Sequence, residues 1–390
     1  MAAAETMSLP SPYFRETEAV DGTRVRIGGT WVTSFASYDY LSLNRSCALT
    51  ARVAEAVADW GVSARASRLV GGNCSYHGAL ETGLAEFLGA EACVATVSGH
   101  GTNQSILRTL TGPGDLIAVD ALAHNSIYEG VRLSGAAHVT FPHNDVSWLE
   151  RHLAGVRERY NRVLIVTEGL FSMDGDTPDL ARFVRLKHEQ DAWLMVDEAH
   201  SIGTLGATGR GIFEATGVPI HEIDIVMGTL SKAFCSAGGF VAGSRELVDL
   251  FRHTAPGFVY SVGLSAPNAA AALAAVQTIA ANPDRVQRLQ ELGQMFLGKA
   301  RAAGLETGDA AGHAIIPVMI GDSILATRLS ADLLARGFNV LPIITPAVPE
   351  KSARLRFFLN ADHTEAEIDS VIAGTAEGLA ALRTRRTTRA

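Results

Sequence analysis

Between Cys93 and Gly243 the chain alternates short β-rich apolar runs with helix-length amphipathic stretches, and nothing else in it restricts the fold so tightly. The runs are Cys93–Val97, Leu116–Val119, His138–Phe141, Val163–Thr167, Trp193–Asp197, Asp224–Thr229 and Phe240–Gly243. Intervening segments such as Asp145–Arg159 and Asp179–Gln190 carry the apolar spacing of amphipathic helices. This alternation predicts an α/β fold, a mostly parallel central sheet covered by helices on both faces. Ligands of such sheets gather at the carboxyl ends of the strands, so polar residues just after the runs are the candidates for function.

The texture changes after Pro267. An Ala-rich helix is predicted over Asn268–Ala281, then a break at Asn282–Pro283 and a further helix from Arg285. Strands follow at His313–Ile320, Asn339–Ile344 and Arg354–Leu359, and a helix over Thr364–Leu382 closes the chain. The reading is an N-terminal segment 1–45 with a hairpin around Val20–Phe35, a large domain 46–284 and a smaller α/β domain 285–390.

Composition narrows the function classes. With 47% hydrophobic and 19% charged residues the chain is folded, neither disordered nor collagen-like. A net charge of −8 argues against a phosphate-backbone binder, so no nucleic-acid partner is expected. The arginine-rich tail Arg383–Arg389 reads as a solvated end. Cys47, Cys74, Cys93 and Cys235 are scattered without a CxxC pair, which indicates neither a disulfide framework nor a zinc knuckle and fits a reducing, cytoplasmic setting. The start lacks the pattern of a signal peptide, and no stretch approaches the roughly 18 apolar residues of a membrane span.

Lysine occurs only at Lys187, Lys232, Lys299 and Lys351 among 33 basic residues. Lys232, in GTLSKAFCSAGGFVAG, stands among small and apolar neighbours. Loss of hydration lowers such a lysine's pKa and frees its amine as a nucleophile; the bland alternative is a snorkelling side chain. Asp197 and His200, in VDEAHS, follow an apolar run. A carboxylate there can pair with a protonated pyridine nitrogen or simply cap a helix. A helicase-type reading of DEAH needs a GxxxxGK[ST] loop, and a zinc reading needs HExxH; neither is present. SGHGTNQ, with Gly99 and His100, opens a helix whose free N–H groups could take a phosphate, although it has only two glycines of a dinucleotide fingerprint. His124 in DALAHNS and Ser172 in TEGLFSMDGD are each, alone, compatible with ordinary loop roles. Arg354 and Arg356, in RLRFFLNADHT, alternate onto one strand face, where either could hold a carboxylate or make a surface ion pair.

Taken in order, DYLSLN, ASRLVGGNCSYHGALE, DALAHNS, FPHND, EGLFSMDGD, VDEAHSIGTLGATGRG, GTLSKAF and RLRFFLNADHT resemble the α-oxoamine synthases, from about Phe35 to His363. The resemblance implies a fold-type I pyridoxal 5'-phosphate (PLP) transferase that condenses an α-amino acid with an acyl thioester, carried on coenzyme A or an acyl carrier protein, with loss of carbon dioxide. It implies that Lys232 holds the cofactor covalently and shuttles the Cα proton, that Asp197 partners the ring nitrogen, and that His200 and Ser172 attend the phenolic oxygen. His124 matches the stacking histidine, Thr229 with the backbone of Gly99 and His100 the phosphate cradle, and Arg356 the substrate-carboxylate binder. A homodimer is implied too, with Ser261 at the place of a hydroxyl run that reaches the partner subunit's phosphate.

The chain departs from the commoner pattern at several places. Tyr38 stands where many members have an asparagine near the substrate carboxylate, which leaves the amino acid open. His100 replaces a frequent aromatic, Ser231 replaces a glycine, and in FVYSVGLSAP only Ser261 and Ser265 remain of the hydroxyl run. Other PLP chemistry, such as transamination or decarboxylation, and a non-catalytic partner subunit are the alternative readings.

Overall fold

A computed structural model describes residues 11–387; the end of the arginine-rich tail, from Thr388, lies outside the described residues. The first strands are β1 (Ala19–Asp21), β2 (Arg24–Ile27) and β3 (Thr30–Ser34), an antiparallel meander. The single hairpin predicted over Val20–Phe35 is thus three strands. Gly22, Gly28 and Gly29 have φ of 55°, 55° and 76°, a region that glycine enters cheaply and that turns the chain twice within a few residues.

Seven strands build the main sheet: β4 (Ala92–Thr96), β5 (Leu116–Asp120), β6 (Ala137–Phe141), β7 (Val163–Glu168), β8 (Trp193–Asp197), β9 (Ile225–Thr229) and β10 (Gly239–Gly243). Their order is β4-β10-β9-β8-β7-β5-β6. All run parallel except β10, which is antiparallel to both β4 and β9. β5 and β7 are buried at every position, which explains their near-continuous apolar sequence. Ile117, Val119, Leu164, Val166, Met195 and Val241 form the centre of the core, each contributing about 1.5–3 kcal/mol on burial. The helix Gly99–Leu110 covers this core through Ile106, Leu107 and Leu110.

Gly239 is in register with both Thr96 and Thr229, and Glu168 with Asp197. The carboxyl ends of β4, β7, β8 and β9 and the start of β10 therefore share one edge of the sheet.

In the C-terminal part, β11 (Ile315–Met319), β13 (Leu341–Ile343) and β14 (Arg354–Phe358) form an antiparallel sheet in the order β11-β14-β13. β12 (Phe338–Asn339) instead runs parallel to β3. The single strand predicted over Asn339–Ile344 is thus divided between two sheets. Pro342 offers no N–H, which suits β13 to its place at the sheet's edge. Phe35 stacks on His363 with centroids 4.2 Å apart, and Phe296 meets Phe357 at 5.0 Å. Burial holds the His363 imidazole neutral, with its pKa lowered to about 4.

The chain divides into two compact units. One is Leu43–Phe171 with Thr177–Val286; the other joins the residues up to Ser42, Ser172–Asp176 and the chain from Gln287 onward. Among the described residues no helix is long and apolar enough to cross a membrane, and no group of three or more His, Cys, Asp or Glu side chains is placed to hold a metal ion.

Candidate active site

In the larger unit, Asp197 ends β8 and is buried. Its Oδ1 accepts the Ala199 amide N–H at 2.9 Å, and its Oδ2 accepts Asn103 Nδ2 at 2.7 Å. No ion pair reaches this carboxylate among the described residues. On the neighbouring strand Glu168 is also buried, and its Oε1 accepts the His124 amide N–H at 2.5 Å. Burial, then the Asp197 charge beside it, push the Glu168 carboxyl well above the usual carboxylate range, while the His124 amide and Lys232 pull the other way. Glu198 is buried too and is raised to about 7, mainly by desolvation; the Ser201 hydroxyl and the Ile212 amide moderate the shift.

His124 is the cap of the helix Asn125–Ser134: its Nδ1 accepts the Ser126 amide at 3.2 Å. The imidazole meets the His100 ring edge-on, with centroids 6.2 Å apart. Lys232 is half-buried in the turn that follows β9. His200 is buried, and its carbonyl accepts the Thr204 hydroxyl at 2.6 Å.

Thr229 ends β9 with its hydroxyl 2.8 Å from that of Ser231. A Cβ on Gly99 would stand 2.7 Å from Thr229 Oγ1, and one on Gly239 would stand 2.7 Å from Gly99 Cα. Only glycines therefore allow the first turn of the helix Gly99–Leu110 to lie against the ends of β9 and β10, which sets a helix N-terminus beside Thr229. Ser98 accepts the Gly101 amide at 3.2 Å, which caps one N–H of that turn.

Lys232, Asp197, His200, His124, Thr229, Gly99, His100 and Ser261 all lie in the larger unit. Ser261 is half-buried in the loop before the helix Ala266–Ala281, and among the described residues no hydrogen bond ties it to the Asp197 network.

Ser172, Arg356 and Tyr38 lie in the other unit, where they meet. Arg356 Nη1 donates to the Ser172 carbonyl at 3.0 Å, and its guanidinium lies 4.6 Å from the Phe358 ring centroid. Tyr38 packs edge-on against the same ring at 4.9 Å, close to Arg356. Burial lowers the Arg356 pKa, and Tyr38 and Tyr40 counter that shift. No carboxylate pairs with this half-buried cation, and its buried Nε has no partner among the described residues. Arg354, on the same strand face, is neutralised by Asp174 at 2.5 Å.

Asn103, Ser126 and Glu168 are site residues that no motif in the sequence marks by itself. Asn103 and Glu168 fall inside quoted segments, SGHGTNQ and TEGLFSMDGD, and Ser126 is the last residue of DALAHNS. Polar residues just beyond strand ends or in the first helical turn after them were the available signal.

The model of the aminotransferase class I and II family matches residues 30–374. A putative 8-amino-7-oxononanoate synthase of Caulobacter vibrioides is 41% identical over 369 residues, 94% of this chain and 93% of that protein. An 8-amino-7-oxononanoate synthase of Methylobacterium radiotolerans is 40% identical over 369 residues, 95% and 93% of the two chains. Among solved structures, a serine palmitoyltransferase of S. paucimobilis with PLP and myriocin bound superposes with a TM-score of 0.94 at 28% identity, covering 98% of this chain and 96% of that one. The architecture is that of the fold-type I PLP transferases. By sequence over nearly its whole length and by fold, the chain belongs to the aminotransferase class I and II family and, within it, to the α-oxoamine synthases.

Proposed function

We propose that the carboxyl-terminal edge of the seven-stranded sheet is where this PLP-dependent acyltransferase condenses an α-amino acid with an acyl thioester. The observation that carries the reading is Asp197, a buried carboxylate oriented by Asn103 and the Ala199 amide and without an ion-pair partner among the described residues. A buried acid so arranged is incomplete, and a protonated pyridine nitrogen completes it. The helix N-terminus that Gly99 and Gly239 bring against Thr229 suits a phosphate. On both counts the residues present suit PLP.

When bound, PLP supplies a protonated ring into which the electron pair left at the amino acid's Cα can flow. Lys232 is assigned the covalent attachment and the movement of the Cα proton. Asp197 keeps the ring nitrogen charged. His124 is assigned the ring face, and His200 and Ser172 the phenolic oxygen. Thr229 and the Gly99 and His100 amides hold the phosphate. Arg356, a half-buried cation with no acid partner among the described residues, is assigned the amino acid's carboxylate, with Tyr38 beside it. A bond then forms between Cα and the thioester carbonyl carbon while the C–S bond breaks. The original carboxylate leaves as carbon dioxide, and a proton returned to Cα gives the α-amino ketone.

A homodimer is the assembly we favour. Leu69, Val70, Tyr260 and Val262 expose 58%, 84%, 86% and 52% of their surface, and a bridge between Ser67 and Val262 joins their two segments. Apolar exposure of this kind suits cover by a second copy, with Ser261 assigned to the partner's phosphate. Light scattering at micromolar concentration should give twice the chain mass; a monomer would reject the assembly.

The reaction is tested by following free thiol while acyl-coenzyme A donors and amino acids are varied. Thiol should be released only when both are present, with one carbon dioxide per thiol. Amino-group transfer to an oxoacid, or carbon dioxide without an acyl donor, would reject the condensation.

A further inference from the structure

Asp197 and His124 stand on different elements, one closing β8 and the other opening the helix Asn125–Ser134. Two buried polar residues connect them. Asn103 donates through Nδ2 to Asp197 Oδ2 at 2.7 Å and to Ser126 Oγ at 2.9 Å. The opposite amide orientation would set Oδ1 against the carboxylate, so the assignment of Nδ2 is fixed by charge. Ser126 Oγ lies 2.7 Å from His124 Nδ1. Since that oxygen accepts from Asn103, its own O–H is free to point at the imidazole.

Nδ1 thus accepts twice, from the Ser126 hydroxyl and from the Ser126 amide at 3.2 Å. A ring nitrogen in that position carries no proton, and the neutral imidazole keeps its hydrogen on Nε2. Capping the helix needs only the amide bond. The hydroxyl and the Asn103 side chain go beyond it, and both residues are buried, where an unmade hydrogen bond is costly.

We propose that Asn103 and Ser126 are positioning residues, a hydrogen-bonded relay from the Asp197 carboxylate to the His124 imidazole that holds the ring as its Nε2–H tautomer. The relay's catalytic meaning rests on the assignment of Asp197 and His124 to the cofactor; its geometry does not. The two residues assigned to opposite tasks are set by one chain of bonds, so a change at either end is felt at the other.

Imidazole nitrogen NMR of the isotopically labelled chain, with and without PLP, tests this alongside steady-state kinetics. Wild type should show His124 as a single Nε2–H tautomer. Ser126→Ala should give a mixture of tautomers and lower kcat about tenfold, and Ser126→Thr, which keeps the hydroxyl, should restore both. Asn103→Ser, which shortens the relay at its other end, should give the same mixture. In a His124→Phe background Ser126→Ala should change kcat by less than about twofold, because no Nδ1 remains to orient. A single tautomer in Ser126→Ala, or equal losses in both backgrounds, would overturn the relay. A tautomer change in a chain that releases no thiol would retain the relay and reject the functional reading instead.

Discussion

The two ends of the seven-stranded sheet handle charge in opposite ways. At the amino ends, near the start of β9, the largely buried Lys187 meets Asp224 at 2.9 Å, and Asp224 also accepts the Leu194 amide at 2.7 Å. That lysine and that acid satisfy one another. At the carboxyl ends Glu168 and Asp197 close adjacent strands, both buried, and neither makes an ion pair among the described residues. The same contrast recurs on β14, where Arg354 is paired with Asp174 and no acid pairs with Arg356 among the described residues. Burial of charge is costly in either case, so the pairs completed within the chain read as structure, and the unpaired Asp197 and Arg356 as places for a ligand.

The largest expected effect separates the two lysines assigned to these roles. Lys232→Ala should lower turnover by about 1,000-fold or more, whereas Lys187→Met should leave turnover per folded molecule unchanged. Comparable losses in both, measured as thiol release at matched folded concentration, would break the comparison. Asp197→Ala should cost about 100-fold in turnover and weaken PLP binding in an absorbance titration; retained activity would remove its charge from the reaction.

Glu198 adds a pH signature to the carboxyl end. Its pKa in the fold, raised to about 7, lies above the ordinary carboxylate value, so the fold prefers the protonated form. Its stabilising contribution is complete below the unfolded pKa and is lost as pH rises to about 7, a change of up to about 3 kcal/mol. Urea midpoints between these limits should fall with pH in wild type and fall less steeply in Glu198→Gln; an unchanged slope would place the titrating group elsewhere.

Smaller effects sharpen the arginine contrast and the amino end. Arg356→Ala should raise the amino-acid KM about 30-fold with a lesser change in kcat, and an unchanged KM would remove it from substrate binding. Lys187→Met should cost only about 1–2 kcal/mol in denaturant unfolding, since Asp224 is partly exposed and keeps its Leu194 hydrogen bond.

Much of this was legible in the amino-acid sequence. Strands buried on both faces are near-continuous apolar runs, which is why β5, β7 and β8 could be read directly. The collinear motifs carried the family and the reaction. The division of Asn339–Ile344 between two sheets was not legible, because it depends on which edge each half finds, β3 or β14. The links around Asp197 were hidden for a related reason. Asn103 reaches Asp197 across 94 positions of sequence and Glu168 reaches His124 across 44, so neither pairing leaves a local pattern.

The most direct measurement is covalent trapping. The chain is incubated with PLP, reduced with borohydride, digested and mapped by mass spectrometry. The account predicts a single modified peptide carrying the label on Lys232 and its loss in Lys232→Ala. A label on Lys187, Lys299 or Lys351 in its place, or no label at saturating PLP, would contradict it.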